Sequence, residues 1–222
     1  MKPKIILTFD LEFWHNSNFL GKYPSEEKYL FEDYIIESTE PILNLLNKHG
    51  HKATFFVLGQ VAEKYQALIK KISDLGHEIS SHGYSHKSLC DMGKEDFERE
   101  ISQTNEILKK ITGEYPSLFR APAFSLKKND GRAMDILKKY SMTSVSKRPA
   151  LAGGIYFRIM PLRFFLWYLK MMGGNETPIL YFHPYEFFES APKINWEPWL
   201  KRKIKYLGTK NAWKKFEKLL QD

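Results

Sequence analysis

The chain has 222 residues, 43% of them hydrophobic and 27% charged, with 34 basic against 26 acidic side chains and a formal net charge of +8. That is enough chain for one sizeable core, and the composition is that of a globular protein rather than a low-complexity one. A single cysteine, Cys90, excludes an intramolecular disulfide framework and fits a reducing compartment. The positive charge is spread along helical faces and is densest near the C-terminus, in W-L-K-R-K-I-K-Y and W-K-K-F-E-K-L-L. No nucleic-acid signature accompanies it, so it reads as solvated helix surface and no nucleic-acid partner is expected. The apolar run near Met1 is too short for a signal-peptide core, which gives the expectation of a cytoplasmic chain.

Residues 4–10, K-I-I-L-T-F-D, form an apolar run closing on polar residues, as in a strand buried on both faces. Residues 33–47 carry Ile35, Ile36, Ile42, Leu43, Leu45 and Leu46 at helical spacing, with Gly50 as C-cap and Pro41 marking a kink or a second start. A-T-F-F-V-L-G (53–59) is a second strand, and 61–75 a helix stopped by Gly76. E-I-S-S (78–81) is a third strand, followed by a helix over 94–112 closed by Gly113. Then come a short strand S-L-F-R (117–120), a helix over 131–139, a weak strand S-M-T-S-V (141–145) and a strong strand P-I-L-Y-F-H (178–183). Between the last two strands lies the most apolar stretch, from Ile155, interrupted by Arg158, Pro161, Arg163 and Lys170. The interruptions exclude a membrane span and predict a core helix, with docking on a membrane surface as the alternative. Repeated β-α units with no low-complexity linker predict one α/β domain over 1–222, its parallel sheet either closed as a barrel or open.

In such folds functional groups gather where strands end. The first strand delivers Asp10 and Glu12, the third His82 and His86, the fourth Arg120, and the last His183. The H-x-x-x-H pair alone is a weak signal, but two carboxylates, three histidines and an arginine at strand ends point to one site.

In order, T-F-D-L-E, A-T-F-F-V-L-G, G-H-E-I-S-S-H-G-Y-S-H, F-R-A-P-A-F-S and L-Y-F-H-P resemble the motifs of the polysaccharide deacetylase family, the NodB-homology or carbohydrate esterase 4 group. G-G-I-Y-F-R-I-M-P and K-Y-L-G-T-K are further similar to a branch found in polysaccharide biosynthesis loci. The resemblance implies a distorted (β/α)7-type barrel with parallel strands, one divalent metal ion, usually Zn2+, and hydrolysis of an N-acyl, normally N-acetyl, group on an amino sugar in a polysaccharide or its precursor. Two neutral imidazoles and a carboxylate are a usual ligand set for a hydrolytic zinc. His82 and His86 take the histidine places. The family commonly has two adjacent aspartates, a base and then a ligand, but Leu11 stands in the second place. Relatives with D-x-D or D-x-E move the ligand to Glu12, and positions two apart on a strand face the same side. Asp10 is then the general base. By the same resemblance His183 is the general acid for the leaving amine, Arg120 orients Asp10, and a backbone N–H just beyond Pro122, that of Ala123, holds the oxyanion.

One departure bears on rate: Thr143 stands where relatives carry an aspartate that tunes the acid histidine, and Glu186 is the alternative carboxylate. Trp14 and His15 are candidates to line a cleft, and Tyr84, Phe124, Tyr156, Tyr185 and Trp196 to stack on a sugar ring. Two other readings stay open: a metal-independent hydrolase of another small C–N bond, and a catalytically weakened protein that binds carbohydrate or lipid. The absence of an export signal makes a nucleotide-linked or lipid-linked sugar the expected substrate form, with peripheral membrane contact by the C-terminal third.

Overall fold

The computed structural model describes residues 5–16, 34–145, 153–173, 177–188 and 198–221. Among them are six strands: β1 (Ile6–Leu11), β2 (Thr54–Val57), β3 (Glu78–Ser81), β4 (Leu118–Phe119), β5 (Thr143–Ser144) and β6 (Ile179–Phe182). The helices are α1 (Tyr34–Lys48), α2 (Gly59–Lys64), α3 (Gln66–Asp74), α4 (Lys94–Thr112), α5 (Gly131–Lys139), α6 (Gly154–Ile159), α7 (Leu162–Gly173), α8 (Trp199–Tyr206) and α9 (Thr209–Leu220). The strand pairings are parallel, so the fold class is α/β.

The chain divides into two compact units. One comprises 1–9, 13–53 and 149–222, the other Asp10–Glu12 and 54–148. In the first, β1 and β6 pair in parallel from Ile6 with Ile179 to Phe9 with Phe182. The Thr8 hydroxyl donates to the Leu180 carbonyl at 2.8 Å. The core here is aromatic. Phe9, Phe157, Phe165, Phe182 and Phe216 are fully buried, and Phe182 meets Phe157, Phe187 and Phe216 at ring-centroid distances of 5.2, 5.2 and 5.8 Å. Such tilted and edge-on contacts are the arrangement that ring quadrupoles favour. Helix α1 runs through Pro41 as one element, so no second helix starts there. Its buried Ile42, Leu43, Leu45 and Leu46 offset the lost backbone hydrogen bond. The apolar stretch from Ile155 is two helices, because Pro161 separates α6 from α7.

The second unit places β2, β3, β4 and β5 side by side, with Thr54 level with Glu78, Ser81 with Phe119 and Leu118 with Thr143. Helices α3, α4 and α5 bury Leu68, Ile69, Ile72, Phe97, Ile101, Leu108, Ala133, Ile136 and Leu137. Two helix predictions hold to the residue: α4 is closed by Gly113, which takes a left-handed φ of 90° as C-cap, and α5 starts after Asp130, whose carboxylate accepts from the Ala133 N–H. The helix expected over 61–75 is instead two, α2 and α3, because buried Tyr65 leaves helical geometry at φ −119°, ψ 48°.

The ladder continues past the strand ends in a way that positions chemistry. Leu58 N–H donates to Leu11, His82 N–H to Val57, and Arg120 N–H to Ser81. The residues just after β2, β3 and β4 are therefore held in register at the carboxyl edge, level with the end of β1.

Candidate metal centre and active site

Asp10, Glu12, His82, His86 and Arg120 all belong to the second unit. Leu11 is fully buried between the two carboxylates, which places Asp10 and Glu12 on the other face of the strand, as period-2 alternation requires. Each carboxylate then finds a different partner.

Asp10 and Arg120 form a buried ion pair, Nη1 donating to Oδ1 at 2.6 Å. The guanidinium also lies over the Phe56 ring, 4.0 Å from its centroid, and 5.6 Å from that of Phe124. A planar cation clamped between a ring and a carboxylate holds Asp10 in one orientation.

Glu12 meets the histidines. Its Oε2 lies 2.5 Å from His86 Nε2 and 3.7 Å from His82 Nε2. One ligand atom from each of the three residues falls within 4.8 Å of the others. His82 Nδ1 is 2.7 Å from the Arg120 carbonyl, so this nitrogen carries the proton and leaves Nε2 as the lone-pair donor on the side of Glu12. A backbone carbonyl behind a ligating histidine is the usual support that fixes tautomer and ring orientation. The donor set, two imidazole nitrogens and one carboxylate with a supporting carbonyl, fits a borderline-soft divalent ion such as Zn2+.

The loop carrying His86 is held in an unusual shape. Gly83 has φ 79° and His86 itself φ 63°, a conformation uncommon for a non-glycine residue and typical of functional sites. Sequence reasoning missed what holds it: Glu100, on α4. Its Oε2 accepts from the N–H groups of Tyr84 and Ser85 at 2.7 and 2.8 Å, and its Oε1 from the Ser85 hydroxyl at 2.5 Å. A glutamate on an amphipathic helix reads as solvated surface, so nothing in the spacing announces this role. Gly59 is the second support. A Cβ there would stand 2.4 Å from Tyr84 Cδ2 and 2.7 Å from Thr104 Oγ1, so only glycine lets the Tyr84 ring lie against α2.

The expected substrate contacts are distributed unevenly. Pro122, Ala123 and Phe124 form a 3-10 turn in which Ala123 (φ 52°) and Phe124 (φ 53°) are both left-handed. Ala123 is exposed, and its N–H has no acceptor among the described residues, as an oxyanion donor requires. Tyr84 is half-buried and donates its hydroxyl to Glu63 Oε2 at 2.8 Å. That bond, reinforced by burial, pushes the phenol pKa up and keeps Tyr84 protonated. Trp14, by contrast, is buried in the first unit and presents little face to a ligand. Trp196 lies outside the described residues.

His183 closes β6 in the first unit and stacks on Tyr185, ring centroids 5.0 Å apart. Thr143 is exposed on β5. The carboxylate near His183 is Glu186, which is itself buried: its Oε2 accepts the His183 backbone N–H at 3.0 Å and lies 3.8 Å from Nδ1. Arg158 Nη2 stands 3.9 Å from Glu186 Oε1. Gly154 leaves room for that carboxylate, because a Cβ there would fall 1.8 Å from Oε2. The two glycines and the arginine of G-G-I-Y-F-R thus have a structural reason: Gly154 and Arg158 seat Glu186, and Gly153 leaves room for the Tyr181 hydroxyl, 2.4 Å from where a Cβ would sit.

Residues 28–145 match the family model described as polysaccharide deacetylase, and residues 117–222 match a domain of unknown function, DUF3473. A peptidoglycan-N-acetylglucosamine deacetylase from Bacillus cereus is 40% identical over 106 residues, 47% of this chain and 38% of that protein. The chain spans under half the length of the curated relatives it matches. Among solved structures, a family 4 carbohydrate esterase from Streptomyces lividans in complex with acetate superposes with a TM-score of 0.59 at 20% identity, covering 96% of this chain and 90% of that one. A CE4 family pseudoenzyme from Bacillus anthracis superposes with a TM-score of 0.61 at 19% identity, covering 98% and 62%. At these identities the likeness establishes the fold, the NodB-type parallel (β/α) barrel class.

Proposed function

This chain belongs to the polysaccharide deacetylase family, and from that premise we propose that it is a metal-dependent hydrolase removing an N-acyl group, acetyl by preference, from an amino sugar of a glycan or glycan precursor. The observation that carries the reading is the pairing of two buried carboxylates with separate partners at one strand end. Asp10 is clamped by Arg120, and Glu12 faces two histidines. The B. cereus relative's name supports an N-acetylglucosamine unit as the substrate class.

Glu12, His82 and His86 would hold the ion, with Zn2+ proposed from the donor set. When bound, such an ion supplies Lewis acidity to the acyl carbonyl and lowers the pKa of water. The residues of the chain do the rest. Asp10 accepts the proton of the attacking water, and Arg120 keeps its carboxylate aimed. The Ala123 N–H donates to the oxygen that gains charge as the carbonyl carbon becomes tetrahedral. His183 donates a proton to the sugar nitrogen as the C–N bond breaks, giving a free amine and a carboxylate. Glu186, seated by Arg158, takes the supporting place that Thr143 cannot fill, holding His183 through its backbone and side chain.

Asp10→Asn with N-acetylglucosamine oligomers and unlinked or carrier-linked N-acetylated sugars tests the reading, with acetate release as the readout. Loss of release with bound metal retained supports it. Undiminished release in Asp10→Asn overturns the base assignment. No release from the wild-type chain with metal bound favours the silent-relative reading that the B. anthracis pseudoenzyme represents.

A further inference from the structure

Helix α7 is apolar on two sides. Its inward side buries Phe165 and Leu169, with Phe165 edge-on to Phe157 at 5.4 Å. Its outward side carries Phe164 at 49% exposure, Trp167 at 52% and Met171 at 60%, at spacings of three and four residues that put them on one stripe. The Phe164 and Trp167 rings lie 5.4 Å apart, forming one continuous patch, and Ile159, just before α7, is 46% exposed. Isolated exposed apolar residues are ordinary, but a stripe of large aromatic ones on a single helix marks a contact surface.

The charge says what the contact is. Arg163 and Lys170 are exposed on the same helix beside the stripe. No acidic residue occurs anywhere between Asp135 and Glu176, while lysines and arginines recur through that span. The same pairing returns on α8, where Trp199 and Leu200 are 66% and 54% exposed and Lys203 lies 5.8 Å from the Trp199 ring centroid. Aromatic and aliphatic side chains flanked by cations on the same helix match the boundary of an anionic bilayer, where rings sit at headgroup depth and basic groups meet lipid phosphates. A glycan subsite would instead need several convergent polar groups around a ring, and this stripe offers none beyond the two cations. No described helix is long and apolar enough to cross a membrane, so the helix would lie on the bilayer.

We infer that the outward face of α7 docks on an anionic phospholipid surface, Phe164, Trp167 and Met171 entering the interface and Arg163 and Lys170 meeting headgroups. The inference is independent of the deacetylase reading, since it uses none of the residues assigned to the reaction. The test is flotation of the full chain with phosphatidylcholine vesicles, with and without phosphatidylglycerol. The expected result is flotation only with phosphatidylglycerol, weakened by salt. The triple variant Phe164→Ser, Trp167→Ser, Met171→Ser should stay unbound while keeping the wild-type circular dichroism. Arg163→Gln and Lys170→Gln should each lower binding roughly fivefold, the effect of one interfacial charge. No flotation at low salt overturns the inference, as does a triple variant that binds like wild type. A wild-type dimer that the triple variant loses, without flotation, overturns it in favour of contact between two copies of the chain.

Discussion

Replacing Arg120 with methionine probes the arrangement on which the site rests. The Arg120 and Asp10 side chains are only 1% and 4% exposed, and their contact is 2.6 Å. The variant therefore strands a carboxylate in the protein interior. A hydrogen bond to a charged group contributes about 1.5–3 kcal/mol, and the guanidinium over Phe56 about 0.5–2 kcal/mol. Removing one partner of a buried pair costs about 3–5 kcal/mol as a whole, because the surviving charge loses its compensation. Methionine recovers part of the lost volume, so cavity formation is the minor effect and the orphaned charge decides the outcome. Urea unfolding followed by circular dichroism should show a destabilisation in that range. Adding Asp10→Asn should restore at least about 1 kcal/mol, since the double variant has no unpaired charge to bury. A single variant within about 0.5 kcal/mol of wild type would refute the buried pair, and a double variant no more stable than the single one would refute the orphaned-charge explanation.

Gly59→Ala tests the close approach at the start of α2: the clash of the added Cβ with Tyr84 and Thr104 should displace the loop of His86, giving a net loss in thermal unfolding. A net gain would show that the ring yields freely. Glu100→Ala releases three hydrogen-bond donors of that same loop. Zinc titration by calorimetry should show affinity reduced by about 10–100-fold, the usual effect of losing support behind ligands; unchanged affinity would make Glu100 merely structural. Glu186→Gln keeps the shape of the side chain beside His183 but removes the carboxylate that accepts its backbone N–H. On the proposed reaction kcat should fall with KM little changed, whereas unchanged kcat would leave Glu186 no part in positioning His183.

How much of this was legible in the sequence follows from where the information lies. Strand and helix periodicity located β1 through β6 and gave α4 and α5 their boundaries, because Gly113 and Asp130 are local caps. Asp10, Glu12, His82, His86 and Arg120 sit at or just after strand ends, so chain order alone predicted their convergence. The break at Tyr65 left no local signal, since its cause is tertiary. Glu100 and Gly59 were equally silent: one looks like helix surface and the other like a strand end, and their roles depend on a loop far along the chain. The apolar stretch that forms α7 reads as a core helix, with membrane-surface docking as the alternative, because hydrophobicity does not reveal which face a neighbour covers. Glu186 was visible only as an alternative to Thr143, and its burial beside Arg158 over Gly154 required coordinates.

The central claim, that Glu12, His82 and His86 form a metal centre, is tested most directly by metal content. Elemental analysis of the wild-type chain, purified without chelators, should be run beside His82→Ala/His86→Ala. The wild type should hold about one divalent ion per chain, as expected for a single mononuclear site, and the double variant should lose it with secondary structure intact. Substoichiometric metal in the wild type that no added Zn2+ raises, or equal metal in both proteins, would contradict it.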